Sequence, residues 1–205
     1  MCDTQTVDSI SIATDSEQGV CDCAGAIVVQ IFVGRVHENG VRLKQVVIRK
    51  ADESEFDVIW PIFREVVSRG DTYNYNPNTT KEEAFSIWMS KSNTTYIAQH
   101  GDEPVGTYIL RANQSGLGSH VANAGYMVTA AARGLGIGRA MCEHSLDEAR
   151  RAGFLAMQFN LVVSTNEAAV ALWKKMGFSI VGTLPLVFRH KELGLVDAFV
   201  MHRFL

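Results

Sequence analysis

The spacing of hydrophobic residues becomes regular only from Gln45 onward. Before that point Ser, Thr, Asp and Gly predominate and no period is sustained, so residues 1–44 are predicted to form a weakly ordered leader. Beyond it, short runs typical of strands alternate with segments whose hydrophobic residues recur every three or four positions, as in amphipathic helices. The pattern predicts one folded domain over residues 45–205.

Capping residues mark three of the four predicted helices. Asp52 with Glu55, and Thr80 with Glu83, have the spacing of capping boxes, and Asn166 precedes a further amphipathic stretch. The glycine-rich segment from Gly134 is predicted to begin the remaining helix, which runs to Ala152. Strands are predicted at residues 46–49, 95–99, 104–110, 122–128, 155–162, 178–182 and 196–202. This order predicts an α+β fold around a mixed sheet, because the hairpins need antiparallel neighbours and the β-α-β steps need parallel ones.

The composition is that of a globular protein with one core: 205 residues, 47% hydrophobic and 20% charged. The formal net charge of -3, from 19 Lys and Arg against 22 Asp and Glu, argues against a nucleic-acid-binding protein, which needs an excess of basic residues. The charge is uneven, since residues 1–40 contain six acidic residues and one basic residue. The body of the chain is therefore slightly basic.

The N-terminal region has neither the basic start nor the apolar core of a secretory signal. The apolar run at residues 24–34 is about half the length that a membrane helix needs. Cys21 and Cys23 lack a second Cys or His pair at ligand spacing, so we expect reduced thiols and no metal site. These features predict a cytoplasmic protein that binds no membrane.

The segment between the predicted strand at 122–128 and the following helix is suited to binding an anion. Gly134, Gly136 and Gly138 lack Cβ atoms where a backbone must approach a ligand, and Arg133 and Arg139 add positive charge. The helix behind them directs unpaired N–H groups and its positive dipole end toward the same place. The G-x-G-x-x-G fingerprint of dinucleotide-binding proteins fails at position 139, and no NTPase loop is present. The alternative is a glycine-rich helix start that binds no ligand.

Two motifs resemble those of the GNAT (GCN5-related) N-acetyltransferases. The spacing Arg133-x-x-Gly136-x-Gly138 is similar to the family's pyrophosphate-binding signature. Asn166–Phe178 resembles its second signature, N-x-x-A-x-x-[LF]-[YW]-x-x-x-G-F, residue for residue. The resemblance extends from Val46 to Leu205 and implies the GNAT fold: a mixed, mostly antiparallel sheet, splayed at a central V and flanked by helices.

The resemblance also implies that acetyl-CoA is the acyl donor. The strand Gly125–Val128 would bind the pantetheine arm as an added strand, and a backbone N–H near Met127 or Val128 would stabilise the oxyanion. Asn166 would hydrogen-bond the arm, and Lys174 and Lys175 would lie near the adenosine phosphate. The implied cofactor-binding residues are Tyr126, Met127, Val128, Arg133, Gly134, Leu135, Gly136, Ile137, Gly138, Arg139 and Asn166.

The chain departs from the family at Trp173, where many members have a Tyr that protonates the leaving thiolate. An indole N–H is too weak an acid for that role, so Trp173 is predicted to be a core residue or a wall beside the thiol. Protonation by water, or departure of the free thiolate, is expected instead.

The segments around Asn123, Asn160 and Val196–Ala198 look like those of the proline-analogue N-acetyltransferases of fungi and bacteria. That resemblance implies that Asn123, Tyr126 and Asn160 contact the substrate, and that Val128 and Asn160 are the catalytic positions. Because a buried amide needs a partner, each asparagine could instead satisfy a neighbouring backbone group. The loops at residues 73–77 and 185–191 are predicted to be mobile walls of the site.

These inferences predict an N-acetyltransferase that acts on a small primary or secondary amine, by direct attack in a ternary complex. No acidic residue lies at the centre of a predicted strand, so the expected base is water, with His120 and His190 as alternatives. A protein or peptide acetyltransferase and a non-catalytic CoA-binding module stay open. A homodimer is possible, since dimers are frequent among such enzymes.

Overall fold

The computed structural model describes residues 46–205, so residue 45 and the predicted leader at residues 1–44 lie outside the described residues. The strands are β1 (Val46–Lys50), β2 (Thr94–His100), β3 (Glu103–Ala112), β4 (Val121–Val128), β5 (Ala156–Val163), β6 (Ser179–His190) and β7 (Gly194–Phe204). The helices are α1 (Phe56–Ser68), α2 (Lys81–Trp88), α3 (Ile137–Arg151) and α4 (Glu167–Lys175). No helix among residues 46–205 is long and apolar enough to cross a membrane.

The seven strands form one sheet in the order β1-β2-β3-β4-β5-β7-β6. Every neighbouring pair is antiparallel except β4 and β5, which are parallel. The predicted fold class, an α+β fold around a mixed and mostly antiparallel sheet, is confirmed.

The parallel pairing of β4 with β5 ends almost as soon as it begins. Only Val121 with Ala156 and Ala122 with Met157 are paired, whereas β3 follows β4 through to Val128. Residues 123–128 of β4 therefore have a free edge where β5 diverges. We call the space between this edge and residues 158–163 of β5 the β4–β5 gap.

The sheet is covered on both faces, and β4 contributes alternate side chains to each. Met127 packs in the core under α1 and α2, which includes Phe63 and Trp88. Ala124 and Tyr126 pack in the core under α3 and α4. Successive side chains of a strand point to opposite faces, so neighbouring residues of β4 contact different helices.

Most predicted elements are confirmed within a few residues, including both capping boxes. Two boundaries were wrong. Helix α3 begins at Ile137 rather than Gly134, because Gly134 and Gly136 have positive φ values and cannot continue a helix. Strand β6 continues past Pro185 to His190, where a loop was predicted. Its pairing with β7 shifts between Leu184 and Phe188, and this irregularity accommodates the proline.

A buried polar group, His144, joins α3 to the centre of the sheet. Its Nδ1 lies 2.6 Å from the hydroxyl oxygen of Tyr108, and the Tyr108 ring stacks on Tyr96 at a centroid distance of 4.5 Å. The side chain is 4% exposed, and this burial is the main reason why the pKa of His144 lies below its ordinary value. Among its charged neighbours, Glu148 and Asp147 act to raise that pKa and Arg151 acts to lower it.

This burial predicts a loss of stability in mild acid. Unfolded His144 takes up a proton near pH 6.5 while the folded protein resists it, so the free energy of unfolding falls as the pH drops below that value. The contribution is at most about 1.4 kcal/mol per pH unit. His144→Asn keeps a polar atom near Nδ1 but cannot titrate. Urea unfolding between pH 7 and pH 5 should show a shallower decline for this variant, and equal slopes would contradict the prediction.

Candidate active site

The free edge of β4 presents the backbone of every second residue to the β4–β5 gap. On the β3 side, Val121 O accepts a hydrogen bond from Asn113 N at 2.7 Å, and Thr129 N donates to Val105 O at 3.0 Å. His120 O accepts from Leu155 N, on the β5 side. N–H and C=O groups alternate sides along a strand, so those of Ala124, Tyr126 and Val128 face the gap. Of the two amides considered for the oxyanion, only that of Val128 faces the gap, because the N–H of Met127 points toward β3, as that of Thr129 does.

The glycine-rich segment follows the C-terminal end of β4 after one short turn, Ala130–Ala132. Gly134 and Gly136 have φ values of 80° and 76°, a left-handed conformation that favours glycine. Gly138 is different, since a Cβ there would lie 3.4 Å from Cδ2 of Leu172 on α4, which is an ordinary van der Waals contact. No side chain among the described residues caps the N-terminus of α3. The first N–H groups of this helix are therefore available to an anion.

Basic side chains surround this helix start. Arg133 is exposed and has no salt bridge within residues 46–205, and Arg139 pairs with Glu143 at 2.8 Å, one turn along α3. Arg139 and Glu143 line a surface cavity of about 500 Å³, together with Lys175 and Arg203. Three cations against one carboxylate leave this cavity positively charged, which suits a phosphorylated group.

The second predicted motif borders the same region. Asn166 caps α4, and its Oδ1 accepts a hydrogen bond from Ala169 N at 3.3 Å, which leaves its Nδ2 group for other contacts. Trp173 is 9% exposed and packs against Tyr126 and Phe159, each at a centroid distance of 5.0 Å. Trp173 is thus a core residue that borders β4, one of the two positions predicted for it.

The side chains of Asn123 and Asn160, which the sequence predicted to contact one substrate, make separate hydrogen bonds within the structure. Asn123 donates from Nδ2 to the backbone oxygen of Gln158 at 2.9 Å, so it satisfies a neighbouring backbone group at the narrow end of the gap. Asn160 is exposed rather than buried, because the pairing of β5 with β7 shifts between Phe159 and Val162. It accepts from Gln158 Nε2 at 2.8 Å and donates to Asn113 Oδ1 at 2.7 Å.

The side chain of Tyr126 points away from these amides. Its hydroxyl lies 2.7 Å from Ser145 Oγ on α3, on the opposite face of β4 from Asn123. The structure therefore does not bring together the side chains of Asn123 and Tyr126, which the sequence placed on one substrate. The backbone of Tyr126 still faces the β4–β5 gap.

A second tyrosine reaches the free edge of β4 from the opposite face. Tyr73 lies in the connection between α1 and α2, which we call the α1–α2 segment (residues 69–80), and its hydroxyl donates to Tyr126 O at 2.9 Å. Burial raises its pKa well above the ordinary value for tyrosine. The sequence placed Tyr73 in a wall of the site, but this hydrogen bond joins residues 53 positions apart and has no local signature.

The α1–α2 segment and β6 border a cavity of about 430 Å³, which is lined by Gly70, residues 73–77 and residues 187–189. The two walls are tied together, since Lys191 N donates to Gly70 O at 3.0 Å. Both were predicted as walls of the site, and the structure places them against each other. Tyr73 lines this cavity, and its hydroxyl reaches the edge of the β4–β5 gap, so one side chain borders both spaces.

His190, one of the two predicted alternative bases, is poorly suited to accept a proton. His190 Nδ1 accepts hydrogen bonds from the backbone N–H groups of Glu192 and Leu193, which uses the lone pair that a base needs. His120 Nδ1 lies 3.2 Å from Leu117 O, in the connection before β4. Cys142 is also unsuited to act as a nucleophile, because burial raises the pKa of its thiol to about 12.

Comparison with known proteins places these features in a family. The sequence model of the acetyltransferase (GNAT) family matches residues 56–178, which is more than half of the chain. N-acetyltransferase aca1 of Schizosaccharomyces pombe is 35% identical over 97 residues. That match covers 47% of this chain and 46% of aca1, so the matched part is about half of the length of that relative.

Solved structures share the whole described fold. A GCN5-related N-acetyltransferase from Kribbella flavida is 46% identical, with a TM-score of 0.74, over 78% of this chain and 98% of that protein. A phosphinothricin acetyltransferase from Sinorhizobium meliloti, solved in complex with acetyl-CoA, has the same fold with a TM-score of 0.67. It is 22% identical over 78% of this chain and 88% of that protein.

Alanine substitution tests whether positive φ, rather than close packing, requires glycine in this segment. Gly136→Ala should lower the free energy of unfolding by roughly 1–2 kcal/mol, because an L-residue is strained at positive φ. Gly138→Ala should change it by less than about 1 kcal/mol, because its Cβ makes an ordinary contact and alanine favours the helix. Urea unfolding of both variants tests this. A larger loss for Gly138→Ala would mean that close packing, not backbone conformation, selects glycine here.

Proposed function

This chain belongs to the acetyltransferase (GNAT) family, and we propose that it is an acetyl-CoA-dependent N-acetyltransferase that acts on a small primary or secondary amine. The observation that carries the proposal is the free edge of β4, followed at once by an uncapped helix N-terminus. The edge offers paired donors and acceptors to an extended arm, and the helix offers N–H groups to phosphates. These are the two chemical parts of a CoA thioester.

We propose that the segment from Arg133 to Arg139 binds the pyrophosphate. The N–H groups of Gly134 and of Gly136–Gly138 would contact its oxygens directly, while the two guanidinium groups neutralise its charge. The N–H of Leu135 donates to Ala132 O at 3.4 Å in the structure. The basic cavity beside Lys175 and Arg203 would accept the adenosine phosphate. Lys174, the second lysine considered for this role, does not line that cavity.

The backbone of β4 would place the acyl group for transfer. Tyr126 and Val128 face the β4–β5 gap, and we assign the N–H of Val128 to the carbonyl oxygen of the thioester, where negative charge develops. Asn166 Nδ2 would hold the arm from the other side of the gap. A fixed backbone donor needs no reorientation during the reaction, so it stabilises that charge at little cost.

The amine would attack the acyl carbon directly, and the sulphur would leave with the bonding electrons. Cys142 is buried and stays protonated, which favours a ternary complex over an acyl-enzyme. Trp173 cannot protonate sulphur, so solvent would supply that proton and accept the one that the amine loses. The thiol has a pKa of about 8.5 and is an adequate leaving group without a dedicated acid.

Two features support a small amine as the acceptor. The cavity between the α1–α2 segment and β6 has a volume typical of small-molecule sites, and the Lys191–Gly70 hydrogen bond joins its two walls. We retain Asn123 and Asn160 as proposed substrate contacts through their amides, in line with the resemblance to proline-analogue N-acetyltransferases. Tyr126 would contribute through its backbone.

The homodimer and the cytoplasmic location stay predictions.

Thiol release from acetyl-CoA tests this function. The purified protein should release free CoA with one or more members of a panel of amino acids, proline analogues and polyamines, and not with short peptides. Transfer to peptides alone would favour the peptide acetyltransferase. Tight acetyl-CoA binding by calorimetry without release from any acceptor would favour a non-catalytic CoA-binding module, and absence of binding would contradict the proposal altogether.

Asn160→Ala tests the acceptor site. Loss of the exposed amide should raise the KM for the amine roughly tenfold, the effect of one hydrogen bond of moderate strength. The dissociation constant for acetyl-CoA should not change, because the side chain lies on the face of β5 away from α3 and α4. Lys91→Gln, at an exposed position in the turn after α2, is the matched surface control. An unchanged KM would remove Asn160 from the amine site.

A further inference from the structure

We propose that the hydroxyl of Tyr73 orients the attacking amine, by accepting a hydrogen bond from the amine N–H while its own proton is held by Tyr126 O. This inference rests on the proposed function and adds a specific residue to it. The distance of 2.9 Å from Tyr73 Oη to Tyr126 O assigns the direction of the first bond, because a carbonyl oxygen can only accept. The lone pairs of the phenol oxygen are then left for a donor.

The position of this oxygen is where an amine must approach an acyl group on β4. A chain added to the free edge would lie roughly 4.8 Å from β4, the usual spacing between strands. Tyr126 O points into that space, so any arm bound along residues 124–128 passes within contact distance of the Tyr73 hydroxyl. The same side chain lines the cavity between the α1–α2 segment and β6. An amine in that cavity would therefore meet the thioester beside Tyr73 Oη.

The site is shaped to receive this hydroxyl. A Cβ built on Gly125 would lie 3.1 Å from Tyr73 Oη, closer than most Cβ contacts, so a side chain there would move the oxygen from its present position by a few tenths of an ångström. The backbone of Gly125 has a negative φ and does not itself require glycine. The glycine at position 125 thus has a steric explanation. Tyr73 Oη is the only polar atom among the three atoms that would lie nearest to a Cβ there.

The ring of Tyr73 is held on both sides. It stacks on Tyr75 at a centroid distance of 5.5 Å and meets the edge of Trp88 at 6.1 Å. Trp88 is itself fixed, since its Nε1 donates to Thr107 Oγ1 at 3.0 Å in the core under α1 and α2. The hydroxyl is consequently preorganised, which limits the entropy lost when it binds a substrate.

The proposed contact strengthens during the reaction. As the nitrogen forms its bond to the acyl carbon and the C–S bond breaks, positive charge develops on the nitrogen and its N–H becomes a better donor. A hydrogen bond that is stronger in the transition state than in the ground state raises kcat. Tyr73 keeps its own proton throughout, as its raised pKa favours, and the proton of the amine passes to solvent.

Tyr73→Phe removes the oxygen and keeps the ring. With the best amine from the thiol-release panel, kcat should fall about 10- to 100-fold, the effect of losing a hydrogen bond to a charged group. The dissociation constant for acetyl-CoA should change less than about twofold, since the backbone of β4 is intact. The profile of kcat against pH should keep its shape, because Tyr73 does not titrate. Tyr96→Phe is the matched control: it loses a tyrosine hydroxyl bonded to Glu148 on the far face of the sheet.

Gly125→Ala provides an independent test, because the new methyl group displaces the hydroxyl without removing it. Gly125→Ala should therefore also lower kcat. Its melting temperature should be no lower than that of Tyr96→Phe, so that the loss of kcat is not due to unfolding. Equal kcat for Tyr73→Phe and wild type would overturn the inference and leave the N-acetyltransferase function intact. So would a rise in the KM for the amine alone, which would show that Tyr73 only anchors the α1–α2 segment. An inactive wild-type protein would overturn the proposed function, and the role of Tyr73 with it.

Discussion

The constraint on which the rest of this structure depends is the short parallel contact between β4 and β5. Two residue pairs join the strands, and beyond Ala122 and Met157 they separate. Backbone polar groups cannot be left without partners in a protein interior, so a strand edge opened in this way needs a hydrogen-bonding partner. At Tyr126 that partner is a side chain, the Tyr73 hydroxyl. Elsewhere along the edge, the proposed partner is the arm of the acyl donor.

The two faces of the sheet contribute different parts of the proposed site around the β4–β5 gap. On the face covered by α3 and α4, the glycine-rich segment and the basic cavity offer positive charge and free N–H groups to phosphates. On the other face, the α1–α2 segment and β6 border a smaller cavity that is lined by both aromatic and polar side chains. Because side chains alternate along β4, this one strand contributes to both parts of the proposed site. Its backbone would contact both proposed substrates.

The family motifs are the part of the site that local sequence predicts well. The positive φ values of Gly134 and Gly136 and the cap at Asn166 are properties of a few consecutive residues, so they appear as fixed spacings in the chain. The side-chain partners of the proposed amine site have no such signature. Asn160 was expected to be buried, yet a shift in the pairing of β5 with β7 exposes it beside Asn113. Tyr126 was expected beside Asn123, but alternation along β4 turns it toward Ser145.

The sequence by itself determined the order of strands and helices, the capping boxes, the glycine-rich segment before α3 and the family. All of these follow from periodicity and from short motifs, whose physical causes act over one or two turns of chain. Only the tertiary structure decided where β4 and β5 part, which face each side chain of β4 occupies, and that Tyr73 bonds the backbone of Tyr126. Those outcomes depend on pairing and packing between residues far apart in the chain, and such contacts are selected by the fold as a whole.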